Sequence, residues 1–222
     1  MAFQYTIALK NQHGSHSNYG VFMEPPQFSV DQKPWMNVWY TTFVPSGGDI
    51  TIQTGVDFYA WAGSVNSAPA PGIIVSGGMV LMAGLGTSTT PGSTFDLQVE
   101  QSFPILAEVA RNAPSGAYEI KCGTDFDEPN NKYLVGLAKP NHRGQVVPVA
   151  SVAPGKNTKV QISPKLKFFI AETQHVAGEI VDYSAVSSRG ATIDFSSGEG
   201  LGKHRASVVH AADGTFTVTY DS

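Results

Sequence analysis

Two imidazoles three residues apart, in His13-Gly-Ser-His16, are the first place where side-chain type and spacing could do chemistry, because neutral imidazole is a common transition-metal ligand. A zinc site needs three or four donors, and no Cys or carboxylate lies close enough in sequence to complete one, so the pair is weighed against a solvated loop. A second polar loop, Thr124-Asp-Phe-Asp-Glu-Pro-Asn-Asn131, offers Asp125, Asp127 and Glu128 as the hard oxygen donors that calcium prefers, with Asn130 and Asn131 as ligand-binding amides beside them. Its spacing is not that of an EF-hand. Acidic, Asn-rich hairpin loops also serve plain turn geometry and solubility, which is the alternative reading.

The basic pairs are Asn141-His-Arg-Gly144, where His142 and Arg143 could hold an anionic group, and Lys203-His-Arg205. Trp35 follows a proline in an expected turn and is the tryptophan that could stack on the C–H face of a sugar ring. Trp39 and Trp61 fall in apolar alternating runs and are expected in the core, with each N–H finding a backbone partner. Nucleophilic catalysis finds little support: there is no Gly-x-Ser-x-Gly elbow, and the single thiol, Cys122, ends a strand without an evident base beside it. The glycine-rich stretches at 84–88 and 198–203 match neither a phosphate-binding loop nor a dinucleotide fingerprint.

The elements that must carry these groups are strands. The 222 residues include 23 Gly and 14 Pro, and only 14% are charged, against roughly 25% in an average soluble domain. Such a balance suits short strands joined by many turns. Period-two runs rich in Val, Ile, Thr, Phe and Tyr predict strands over Phe3–Leu9, Asn37–Val44, Asp49–Thr54, Val56–Ala62, Thr94–Val99, Ala117–Cys122, Lys159–Ile162, Leu166–Ala171, Ala206–Ala211 and Thr215–Tyr220. Phe103–Arg111 reads equally as a helix or a strand.

The order of these runs repeats. Tyr5-Thr-Ile-Ala-Leu-Lys10, a polar loop and Tyr19-Gly-Val-Phe-Met-Glu-Pro25 are echoed by Tyr118-Glu-Ile-Lys121, a polar loop and Tyr133 to Pro140, and Ile50–Tyr59 is echoed by Val160–Phe169. A weaker match sets Gly92–Val99 against Gly214–Tyr220. The expected architecture is all-β: two tandem antiparallel β-sandwich units, immunoglobulin-like or jelly-roll-like, from an internal duplication, over 1–112 and 113–222. In build the chain is similar to leaderless, cysteine-poor β-sandwich proteins, cytoplasmic lectins of fungi among them, although no motif specific to that group is present.

The formal charge of −4 resides in the first half, and neither half clusters Lys and Arg as a nucleic-acid surface would. No apolar run reaches the ~18 residues of a membrane span, and the N-terminus lacks a basic region followed by an apolar one. The expectations are therefore a soluble, cytoplasmic protein, without a signal peptide and with no nucleic-acid or membrane partner. Its expected function is non-catalytic binding, lectin-like, with carbohydrate as partner and no cofactor unless calcium. A self-assembling homo-oligomer of structural or storage type is the alternative, and an enzyme of unrecognised type comes third.

Overall fold

The computed structural model describes residues 4–30 and 33–221, and these are nearly all β. Phe3, expected to open the first strand, lies outside the described residues. In chain order the strands are β1 (Gln4–Asn11), β2 (Ser17–Met23), β3 (Gln27–Phe28), β4 (Trp35–Asn37), β5 (Tyr40–Val44), β6 (Asp49–Gly55), β7 (Phe58–Ser64), β8 (Ser76–Ala83), β9 (Gly92–Glu100) and β10 (Phe103–Ala113). They continue as β11 (Tyr118–Cys122), β12 (Tyr133–Pro140), β13 (Val146–Val152), β14 (Lys159–Ser163), β15 (Lys167–Glu172), β16 (Ile180–Val181), β17 (Ala191–Asp194), β18 (Arg205–His210) and β19 (Phe216–Asp221). One helix, α1 (Tyr183–Arg189), precedes β17, its N-terminus capped by the Asp182 carboxylate, which accepts from the Ser184 and Ala185 N–H groups.

Four sheets form, none closing on itself among the described residues: β19-β18-β1-β6, β17-β15-β2-β5, β10-β9-β11-β14-β3 and β16-β4-β13-β12-β7-β8. Every sheet mixes strands from both sides of residue 112, so the expected boundary, at the last residue of β10, does not separate two sets of sheets. The pairing senses nevertheless run alike. In β19-β18-β1-β6 an antiparallel hairpin is followed by a parallel pair and then an antiparallel one. The order β10-β9-β11-β14 has the same three senses. Likewise β17-β15-β2-β5 and β8-β7-β12-β13 are antiparallel throughout. In these orders β9 stands where β18 does, and β10 where β19 does.

Burial follows the pleat. Ile7 and Leu9 of β1, and Val160 and Ile162 of β14, point into the main core, while Lys10 and Lys159 face outward. Two strands are covered on both faces and read as near-continuous apolar runs. On β2, Tyr19, Val21 and Met23 enter the main core and Phe22 a smaller cluster with Phe169 and Val186. On β12, Tyr133, Val135 and Leu137 enter the main core, while Leu134 and Ala138 join Trp61 and Ile180. Sheets are tied together by buried polar groups. Tyr118 Oη of β11 donates to Gly136 O of β12 at 2.9 Å, and Lys139 Nζ, with no exposed surface, donates to Gly55 O and Asp57 O at 2.9 and 3.0 Å.

Two expectations need correction, and one open reading is decided: Phe103–Arg111 is strand, β10 pairing with β9 through register shifts at Glu108/Ala110 and Arg111/Ala113. The run Asn37–Val44 is broken at Val38 and Trp39, where β4 and β5 leave for different sheets. Trp39 and Trp61 are core as expected, but the buried Trp39 Nε1 has no hydrogen-bond partner.

Candidate functional site

The end of β1 organises a cleft lined by imidazole, carboxylate, amide and guanidinium groups. Asn11, fully buried, donates through Nδ2 to Ser15 O (2.8 Å) and Val44 O (3.0 Å), and its Oδ1 accepts from the His13 N–H at 3.0 Å. That amide fixes the following loop, and Gln12 N donating to His210 O (2.8 Å) lays the loop against the end of β18. His13 consequently stacks on His210, with ring centroids 4.4 Å apart and planes 14° from parallel. Phe216 of β19 stacks on the opposite face at 4.2 Å and 5°. His210 is thus held between two rings.

Its edge is fixed as well. Tyr19 Oη, on β2 of the neighbouring sheet, lies 2.8 Å from His210 Nδ1, and the Gly214 carbonyl interacts with the same imidazole. Burial, reinforced by the adjacent His13, holds His210 below the ordinary imidazole range, so it is neutral at neutral pH. Burial likewise pushes the Tyr19 phenol up, which keeps it a neutral hydrogen-bonding group. Glu172 ends β15 directly across from Tyr19. One donor atom each from His13, Glu172 and His210 come within 4.8 Å of one another, the one such group of three among the described residues.

These residues open on a cleft of about 520 Å³ whose walls add Thr173, Gln174, His175, Arg189 and Gly214. His175 Nδ1 pairs with Glu179 Oε1 at 2.8 Å, which braces that wall. A larger groove of about 880 Å³ runs between β7, β8, β10 and the 164–166 turn. Its lining is chiefly apolar, and two of its charged groups, Arg111 and Glu108, already pair at 3.2 Å.

The other expected site residues lie apart from this centre. His16 turns away from His13: its Nδ1 accepts from Ser46 N at 3.1 Å and its ring leans on Phe43. Asn130 is a structural clamp, donating through Nδ2 to Tyr133 O and Pro154 O, both at 2.9 Å. Asp125, Asp127 and Asn131 line a second cleft of about 620 Å³ with Ser102 and Lys156. Glu128 accepts a short hydrogen bond from the Lys156 N–H, and these three carboxylates form no group with the close spacing of His13, Glu172 and His210. His142 and Arg143 occupy the β12–β13 turn, where the Asn141 side chain accepts from the Arg143 N–H and His142 rests on Tyr40. Trp35, expected in an exposed turn, is instead half-buried at the start of β4, with Lys33 Nζ 5.8 Å from its ring centroid.

Sequence reasoning placed neither Glu172 nor His210 in a site. A usable signal was present for the second: in Arg205-Ala-Ser-Val-Val-His210 the buried positions alternate, and His210 shares the inward parity of Ala206 and Val208. A histidine on the apolar side of a strand must be paired, which marks it for attention. Nothing local marks Glu172.

No curated protein and no solved structure matches the chain. With a match running over residues 2–221, essentially the whole sequence, the chain belongs to the RhiA family.

Proposed function

We propose that this is a non-catalytic binding protein, built from two duplicated β-sandwich units, that takes a small polar ligand of carbohydrate type in the cleft over His13 and His210. The observation that carries the reading is the cleft itself. Segments from four distant parts of the chain converge there, presenting Glu172, Gln174, His175 and Arg189 as donors and acceptors around a stacked ring surface. Few precisely placed polar groups beside aromatic surface are what orient a hydroxylated ligand. The buried phenol and imidazole behind them are hydrogen-bonded to each other and fixed, which suits positioning.

Duplication is supported by the matched pairing senses and by register. Ile7 pairs with Ala206 and Ile120 with Phe95, so the two parallel pairs correspond at offsets of 113 (120 − 7) and 111 (206 − 95). On this view the units have exchanged strands, each lending a hairpin and a sheet edge to the other. The second cleft then sits where the first does, beneath the loop after the first strand of its unit and beside the exchanged hairpin, with carboxylates and amides replacing imidazoles.

A glycan array probed with the intact protein is expected to give a restricted set of hits, and Arg189→Ala with Gln174→Ala to weaken them roughly tenfold, the loss of one or two hydrogen bonds to a charged or polar group. A blank array, or hits indifferent to both substitutions, counts against the reading.

One observation favours self-association as a second reading. The edge strands β10 and β8, which lie against each other, still expose Phe103 (72%), Val109 (49%) and Met82 (62%), apolar side chains of the kind that meet another chain. Light scattering on size-exclusion fractions should then show mass rising with concentration and falling back to a monomer in Phe103→Lys. A monomer at every concentration removes this reading.

A further inference from the structure

We propose that His13, Glu172 and His210 are the protein ligands of one divalent transition-metal ion at the floor of the cleft, zinc being the best fit. This names an ion for the site already proposed to bind the polar ligand, and shares with that reading only its location. Two imidazoles and one carboxylate form the mixed nitrogen and oxygen set that binds zinc with one position left open, whereas calcium and magnesium take oxygen alone.

The spacing is close to what an ion needs. Donors on one zinc stand at most about 4.2 Å apart, twice a bond of roughly 2.1 Å, and these three lie within 4.8 Å. The remaining adjustment falls on the two mobile members. Parallel stacked rings do not aim their in-plane lone pairs at one point, so His13 must rotate off His210; it is only partly buried, on a loop, bonded through Nδ1 to exposed Ser15 Oγ at 3.1 Å. Glu172 is exposed at its strand end and rotates without disturbing the core.

His210 is the fixed ligand, and its surroundings are those of a metal-bound histidine. With the proton on Nδ1 and donated to Tyr19 Oη, the Nε2 lone pair is available to the ion, the outer hydrogen bond setting the tautomer. The Gly214 carbonyl interacts with the same imidazole; a ring proton held at Nε2 moves to Nδ1 when the ion takes the Nε2 lone pair, so the ligand stays neutral. Arg189 on the wall opposes a bare cation, while Glu172 offsets it and leaves the guanidinium for an anionic or hydroxylated co-ligand at the open position.

The test uses tag-free full-length protein, stripped with chelator and titrated with Zn²⁺ by calorimetry and with Co²⁺ by visible absorption. One ion per chain is expected. Binding should disappear in the double variant His13→Ala/Glu172→Gln, whose side chains lie outside the core, and weaken roughly 10- to 100-fold in Tyr19→Phe, which keeps the packing and removes the outer hydrogen bond. His16→Ala should bind as the parent does. Absence of saturable binding, or unchanged binding in the double variant, overturns the proposal. Glycan binding measured with and without chelator separates the two readings: retained sugar binding by a protein that takes no ion overturns the metal and leaves the lectin-like reading standing.

Discussion

Residues 1–112 expressed alone are expected to stay unfolded, and to regain dispersed amide resonances and β-type circular dichroism only when mixed with residues 113–222. The reason lies in the pairing. Without the second half, β1 loses its parallel partner β18, β2 loses β15, β7 loses β12 and β9 loses β11. The main core loses Phe168, Ile170, Ile193, Phe195 and Val208, all essentially buried. At about 2 kcal/mol for each large apolar side chain, five of them come to roughly 10 kcal/mol, as much as the whole stability of an ordinary domain. Mixing restores nearly every pair, because the break at 112–113 falls one residue before the end of β10 and detaches from that strand only the buried Ala113, which pairs with Gly92. Cooperative unfolding of the 1–112 fragment by itself would show that the exchange is not obligatory and that each half can close on its own strands.

That same long-range pairing explains how much of the molecule was legible in the sequence. Elements whose pattern is local were readable: Lys159-Val-Gln-Ile alternates outward and inward, and the structure buries Val160 and Ile162 as the alternation requires. Partner choice was not readable. Nothing in Ala206-Ser-Val208 distinguishes pairing with β1, some 200 residues earlier, from pairing with a neighbour, since period two fixes a strand's faces and leaves its edges unspecified. The candidate centre suffers most from this. His13 could be named from its neighbour His16, but its actual neighbours, Glu172 and His210, arrive through β15 and β18, and the residue three places away is drawn off by Ser46. The helix α1 escaped because Tyr183–Arg189 is too short for a periodic signal, with Val186 its one buried residue.

Stability is expected to rise by about 1.4 kcal/mol between pH 8 and 9, level off, and then fall steeply above pH 10, each titrating group acting at about 1.4 kcal/mol per pH unit. The rise belongs to Lys139. Burial, only partly offset by Asp57, lowers its ammonium to about 8 from its ordinary 10.5. From pH 8 to 10.5 the unfolded chain therefore binds more protons than the folded one. The contribution is complete above 10.5 and lost as pH falls through 8. The opposing groups are buried acids. Burial pushes the Cys122 thiol up to about 12 from 9.0, so its contribution is complete below 9 and lost as pH rises towards 12. Burial also raises the Tyr40 and Tyr118 phenols, whose contributions begin to be lost above 10. Between pH 9 and 10 the lysine and the thiol cancel; above 10.5 the thiol and the buried phenols, Tyr19 among them, act together, each at about 1.4 kcal/mol per pH unit. Urea denaturation across pH 7 to 11 measures the profile. Lys139→Met should abolish the rise between 8 and 9 while leaving the alkaline fall, and Cys122→Ala should extend the rise to pH 10. A flat response from pH 8 to 9 in the parent protein would mean that water reaches Nζ, and that the two carbonyls of Gly55 and Asp57 already compensate the charge they surround.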